Sequence, residues 1–453
     1  MHFNKNLTKI FLLIFSLTFL KFYAFADANP FGIDIPLESD AIYLVNQDTN
    51  TVVLEKNKDL KIPCSALAKI MTTILVLESD EFKKNPKKFL KKEITATPQI
   101  FDRLYLKGAS NADIKKGETI TVKDALYATM LQSACETTMM LVELLCKDNT
   151  EAFVNQMNKK AKELNLKNTY FTDPDGLDTY SQYTTAYDMF ILTTYCLKNE
   201  FFKKIATAKT YEIPPTNMHN KPIKLTHTNK MLNKFTGGKN YDNRVQGIKT
   251  AKIEDKDNLV SIANFKSYNY ILVILGAKRT NKESTIYKEA KSIYDWVFNN
   301  LKLDVVATPG EKTIPTNIKV EFSKNSQELC LTPKNQVVLM LPAQVDKSTI
   351  FWDTSNIASQ KVKAPLKKGT YVGNIILKLS DQKIAEVQMV AAKDFDLDIG
   401  SFITFLIFEK ILKPTTIFLL ILLIILIFLI IRYRKINKKD NKKNKNKKYK
   451  PFN

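Results

Sequence analysis

Apolar residues recur along this chain in successive rhythms, and each rhythm predicts a different kind of element. From Ala41 to Leu301, helical and strand periods alternate. Ala41-Ile-Tyr-Leu-Val45 and Thr51-Val-Val-Leu-Glu55 read as a hairpin, while Ala66 to Leu77 has the apolar spacing of a helix. Asp124 to Leu145 reads as one long helix and Glu151 to Leu164 as an amphipathic one. Leu259-Val-Ser-Ile-Ala263 and Tyr270-Ile-Leu-Val-Ile-Leu275 read as paired strands, and Ser284 to Asn300 as a closing helix. Elements of both types in one core predict a mixed α/β domain.

Beyond Lys302 the rhythm shortens to strands separated by turn residues: Ile318–Phe322, Gln336–Leu341, Tyr371–Leu377 and Ile384–Val390. That pattern predicts a small all-β domain. Residues 399–412 are mostly apolar, closing on Glu409 and Lys410, and predict a helix on or near the outer membrane surface, with a second, shallow membrane segment as the alternative. Thr415 to Ile431 carries no charge and predicts a transmembrane helix. The tail from Arg432 holds 2 Arg, 9 Lys and 1 Asp, a net of +10, which the positive-inside rule assigns to the cytoplasm. At the other end Lys5 and Lys9, an apolar run from Ile10 to Leu20, and Ala24, Ala26 and Ala28 have the three regions of a secretory signal, with cleavage after Ala26 or Ala28. The expected plan is a signal peptide (1–28), a mixed domain (29–301), a β-rich domain (302–395), an amphipathic juxtamembrane segment (396–414), a transmembrane helix (415–431) and a basic tail (432–453), with the main domains extracytoplasmic.

The chain has 453 residues, 45% of them hydrophobic, enough for two cores. Its formal charge is +22, but the tail and the signal-region lysines Lys5, Lys9 and Lys21 supply +13 of it. The remaining +9 suits an ectodomain facing anionic headgroups or wall polymer, so nucleic acid is not needed as a partner. Five cysteines, Cys64, Cys135, Cys146, Cys196 and Cys330, are an odd number in an exported chain, so at least one is left unpaired or pairs between molecules. The histidines are His2, His219 and His227, too few for a His-based metal site.

One acyl-transfer chemistry uses Ser-x-x-Lys at a helix start, then Ser-x-Asn, then Lys-Thr-Gly on a strand edge. A serine hydroxyl attacks poorly until a neighbouring lysine of lowered pKa takes its proton. Here Lys69-Ile-Met-Thr72, Asn168-Thr-Tyr-Phe-Thr-Asp-Pro-Asp-Gly-Leu-Asp178, Thr185-Ala-Tyr-Asp188, Thr228-Asn-Lys-Met-Leu232 and Lys249-Thr-Ala251 follow one another within a single domain. In that order they resemble the D-alanyl-D-alanine carboxypeptidases, the low-molecular-mass penicillin-binding proteins of the serine peptidase class. Pro365-Leu-Lys-Lys-Gly-Thr-Tyr-Val-Gly373 with Ile384-Ala-Glu-Val387 resembles the family's C-terminal module. The resemblance implies helices around a mainly antiparallel sheet, and removal of the terminal D-alanine from peptidoglycan stem peptides through an acyl-enzyme, without metal or cofactor.

Set on that pattern, the family's nucleophile position falls on Ala66, which has no hydroxyl. Ser65 stands one place earlier, four steps from Lys69 rather than three, and reaches that lysine only if the helix starts a residue sooner. The second motif reads Ser133-Ala-Cys135, with cysteine at the asparagine position, and the third reads Lys249-Thr250-Ala251, with alanine at the glycine position. The resemblance makes Lys69, Ser133 and Lys249 the catalytic residues, with Lys249, Thr250, Cys135 and Ala251 at the substrate positions. Cys64 and Cys135 would approach each other in such a fold, as a disulfide, as a free Cys135 nucleophile beside Lys69, or as small buried hydrophobes. Asp173 and Asp175 read as turn residues ahead of Gly176. Three altered motifs favour a peptidoglycan-binding, catalytically impaired pseudoenzyme. The alternatives are a working carboxypeptidase using Ser65 with Lys69, and a structural or regulatory protein holding a partner at the membrane.

Overall fold

The structure is a computed structural model that describes residues 31–446 apart from 106, 148, 179, 267, 281, 282, 325, 326, 359, 380 and 412. The expected signal peptide and the last residues of the tail lie outside the described residues. Two compact units form, one running to Leu303 and including Met340–Val345, the other comprising Asp304–Leu339 and the chain from Asp346 onward.

The first unit is built on a five-stranded antiparallel sheet. Its strands are β1 (Ala41–Asn46), β2 (Thr51–Lys56), β3 (Lys249–Ile253), β4 (Lys256–Phe265) and β5 (Tyr268–Lys278), in the spatial order β2-β1-β5-β4-β3. The expected hairpins are β1–β2 and β4–β5, the second pairing Val260 with Val273 and Ile262 with Ile271. Side chains alternate across the sheet. Tyr43, Val45, Ile271, Val273 and Leu275 enter the larger helical core, whereas Ile42, Leu44, Leu272 and Ile274 meet the helix Thr285–Asn300. Both faces are covered, which is why these strands read as unbroken apolar runs.

The helices on the larger face are α1 (Ala68–Leu77), α2 (Asp80–Lys84), α3 (Pro86–Leu90), α4 (Val122–Leu131), α5 (Cys135–Cys146), α6 (Thr150–Glu163) and α7 (Ala186–Cys196). One expectation is corrected here: Asp124 to Leu145 is not a single helix. It breaks at Gln132–Ala134, where Ser133 takes a left-handed φ of 60° that no helix continues through. Apolar periodicity persists on both sides because α4 and α5 bury faces in the same core, so the pattern alone hides the break.

In the second unit, β6 (Ile314–Lys319), β7 (Glu328–Pro333), β8 (Phe351–Asp353), β9 (Tyr371–Leu379) and β10 (Gln382–Ala391) form an antiparallel sheet in the order β6-β7-β10-β9-β8. The expected run Gln336–Leu341 appears as the strand Val337–Pro342, and the run Ile318–Phe322 as the end of β6 and the turn after it. Helix α8 (Ile399–Leu406) sets Phe402 and Phe405 against the Phe322 ring, at centroid distances of 5.4 and 4.9 Å, and leaves Ile399 and Ile403 exposed. Helix α9 (Pro414–Asn446) is long and apolar enough over Pro414–Asn437 to cross a membrane, with a mean hydropathy of 3.2 and none of its span buried.

Candidate active site

A cavity of about 590 Å3 opens in the first unit where α1, the α4–α5 break and the strand β3 converge. The break positions two of the expected residues. Its left-handed Ser133 turns the chain so that α5 restarts at Cys135, and the Cys135 amide donates to the Ser110 carbonyl at 2.8 Å. Ser133 and Cys135 both line the cavity, and among the described residues the Ser133 hydroxyl makes no hydrogen bond.

On the opposite wall, a single turn of 3-10 helix at Ser65–Leu67 precedes α1. Lys69 lies on the first turn of α1 and is 1% exposed. Its amine donates to the Asp175 carbonyl and sits 3.5 Å from the Cys135 sulfur. Ser65 has a left-handed φ of 44°, and its hydroxyl donates to the carbonyls of Lys252 (3.1 Å) and Gly176 (3.3 Å). Ser65 and Lys69 therefore share no hydrogen bond. Ala66 lines the cavity between them with only a methyl group. The close seat of Gly176 on this turn explains the glycine: a Cβ there would fall 2.3 Å from the Ser65 carbonyl carbon and oxygen.

Strand β3 forms the edge of the sheet and carries the third motif. Lys249 is fully buried and donates to the Thr250 carbonyl at 3.1 Å. Burial and the nearby Lys69 charge hold its pKa down to about 7, so the amine gains and loses its proton near neutrality. The Thr250 hydroxyl is 2.8 Å from that of Thr228, and Ala251 is buried on the strand opposite Asn258. His227 behind them is kept neutral, its pKa lowered to about 3 by burial and by Lys249.

Three acidic groups adjoin the site, of which Asp173 and Asp175 read in the sequence only as turn residues and Glu136 was not anticipated. Asp173 is the expected turn residue, accepting from the Gly176 amide and from Gln182. Asp175 does more: its side chain is buried at the cavity, 3.6 Å from the Arg103 guanidinium, and one of its oxygens has no hydrogen-bond partner. Burial and Asp173 push its pKa up. Glu136, next to Cys135, accepts the Ala112 amide at 2.6 Å and has its pKa raised to about 6, mainly by burial. Burial also raises the Cys135 thiol, with Lys69 opposing the shift. Cys64 and Cys135 are both free and buried, so the expected possibility of a disulfide between them is not realised. Among the described residues, no three His, Cys, Asp or Glu side chains converge as a metal site. The assembled groups, two buried lysines and a hydroxyl pair, are suited to holding a carboxylate.

The family profile described as D-alanyl-D-alanine carboxypeptidase matches residues 27–279, and that of the penicillin-binding protein 5 C-terminal domain matches residues 310–396. The D-alanyl-D-alanine carboxypeptidase DacF of Bacillus subtilis is 30% identical over 371 residues, 82% of this chain and 88% of that protein. The crystal structure of penicillin binding protein 5 from Haemophilus influenzae aligns with a TM-score of 0.61 at 24% identity, over 81% of this chain and all of that one. A Streptomyces K15 DD-transpeptidase variant, in which a natural cysteine is changed to asparagine, aligns with a TM-score of 0.51 at 22% identity, over 59% of this chain and all of that one. With more than half of its length matched by the profile and a relative at this identity along most of both chains, the protein belongs to the D-alanyl-D-alanine carboxypeptidase family.

Proposed function

We propose that the chain binds peptidoglycan stem peptides ending in D-alanyl-D-alanine at this cavity and holds them rather than cleaving them. One observation carries the reading: the only hydroxyl next to the family's nucleophile position, that of Ser65, is spent on two backbone carbonyls while the Lys69 amine faces elsewhere. Thr250 and Ser133 line the cavity to receive the terminal carboxylate, with Lys249 buried beside Thr250 on the same strand. The main units act outside the cell, with α9 crossing the membrane and the basic tail on the cytoplasmic side.

The test uses the full chain in neutral detergent with a fluorescent β-lactam and, separately, a stem pentapeptide. Expected are no covalent label and saturable peptide binding that Lys249→Ala abolishes. Labelling lost with Ser65→Ala would restore the working hydrolase, and neither labelling nor peptide binding would leave a purely structural role.

A second reading is favoured by the 3.5 Å contact between Lys69 and the Cys135 sulfur. In it the thiol attacks the peptide carbonyl, its proton passes to the Lys69 amine and then to the departing D-alanine, and water hydrolyses the thioester. The engineered forms of the Streptomyces K15 transpeptidase change a natural serine and, two positions on, a natural cysteine, the spacing of Ser133 and Cys135. The weight of the first reading rests on Ala66. Label that survives Ser65→Ala and disappears with Cys135→Ala identifies the thiol route.

A further inference from the structure

Away from the cavity, α2, α3 and the two residues after them carry six lysines in ten residues, Lys83, Lys84, Lys87, Lys88, Lys91 and Lys92, all exposed. The local fold forces them outward together. Ser79 caps α2 by accepting the Phe82 amide, and Asn85 caps α3 by accepting the Lys88 amide, with Pro86 at the first helical position. Phe82 and Phe89 turn inward and pack edge to face at 5.9 Å, so the lysines on either side face solvent.

Most of these lysines border a shallow, open depression. Lys87, Lys88, Lys91, Lys92 and Lys123 line a groove of about 930 Å3. Lys123 reaches it from the start of α4, its amine 5.3 Å from the Tyr211 ring centre. Acidic neighbours are few: Glu81 pairs with Lys92 at 3.0 Å, and Asp80 and Glu93 flank the stretch. Lys83, Lys84, Lys87, Lys88, Lys91 and Lys123 make no ion pair among the described residues. Like charges crowded into a concavity focus a positive potential, which raises the local concentration of an anionic partner.

We propose that this groove is a docking site for a linear polyphosphate chain, running along the α2–α3 surface and contacted by Lys87, Lys88, Lys91 and Lys123. Lysine ammoniums suit such a chain because they act as mobile point charges and need no fixed ligand geometry. A bilayer is the poorer occupant. Surfaces that bind membranes set exposed aromatic or aliphatic side chains beside their basic ones, and here Phe82 and Phe89 are buried, and Leu90, the one large apolar side chain lining the groove among the described residues, is only partly exposed.

The probe is long-chain, end-labelled inorganic polyphosphate, with the full chain in phosphatidylcholine nanodiscs and binding read by anisotropy at two salt concentrations. Wild type is expected to bind in a salt-sensitive manner. The variant Lys87→Gln, Lys88→Gln, Lys91→Gln, Lys123→Gln is expected to weaken binding about tenfold or more. The control Lys159→Gln, Lys162→Gln, Lys167→Gln, Lys198→Gln removes equal charge from exposed positions elsewhere and is expected to change it less than about twofold. Stem-pentapeptide binding in the same samples should be equal for both variants, which separates this site from the cavity. No wild-type binding, or equal losses in the two variants, overturns the proposal. Loss of polyphosphate binding when the discs are made of phosphatidylglycerol would assign the groove to the bilayer surface and overturn it as well.

Discussion

An amine buried beside a second lysine holds its proton weakly, and Lys249 is so placed, with a pKa of about 7 against an ordinary value of 10.5. Between those values the unfolded chain binds the proton that the folded chain releases, so this group's contribution to folding stability rises with pH across that window. Capture of a carboxylate needs the protonated amine, so stem-peptide affinity is expected to fall as pH rises through about 7. Calorimetric titration across neutrality should show the fall, and Lys249→Met should flatten it along with lowering the affinity. Ala66 offers the complementary gain: Ala66→Ser places a hydroxyl three residues before Lys69 in the cavity, and is expected to raise penicillin labelling above that of the native chain. Gly176→Ala is expected to destabilise by about 2 kcal/mol or more, from the positive φ and the contact with the Ser65 carbonyl, as read by a denaturant midpoint. That Lys69, Ser133, Cys135, Thr250 and Ala251 come together at one cavity was legible because motif spacing survives substitution. The partners of Ser65 were not, since hydrogen bonds to the Gly176 and Lys252 carbonyls join residues more than a hundred positions apart. Asp175 was hidden for another reason: its turn signature is genuine, and the buried carboxylate adds a second role to the same residue.

At the level of elements, strands and isolated helices followed from periodicity almost directly. The hairpins β1–β2 and β4–β5 and the closing helix Thr285–Asn300 have one apolar period apiece and a clear turn or cap, such as Ser284, which accepts the Ile286 amide at 3.3 Å. The α4–α5 break escaped because nothing in its composition marks it. No glycine or proline stands at Gln132–Ala134, and the left-handed turn there falls to a serine. Helix α4 is fixed at its start by a reciprocal cap: the Thr121 hydroxyl accepts the Asp124 amide at 3.2 Å, Asp124 accepts the Thr121 amide at 3.1 Å, and Tyr211 donates to the same carboxylate at 2.7 Å. Thr121→Ala is expected to cost ~1 kcal/mol in thermal unfolding. Because α4 leads into Ser133, that variant should also weaken stem-peptide binding more than its loss of stability alone accounts for.

Taken whole, the protein combines a family catalytic unit, a β-rich unit and one helix fit to span a bilayer. Deleting residues 414–453 is expected to move the protein from the carbonate-resistant membrane fraction into the extract, whereas the full chain should stay behind. Helix α9 is continuous over 33 residues, roughly 50 Å at the α-helical rise of about 1.5 Å per residue, against a hydrocarbon thickness of about 30 Å. The excess, roughly 20 Å, begins at Arg432, where the apolar run stops. In a bilayer of that thickness Arg432, Arg434 and Lys435, on the first turn past the apolar run, sit at headgroup depth and stop the span from sliding further through.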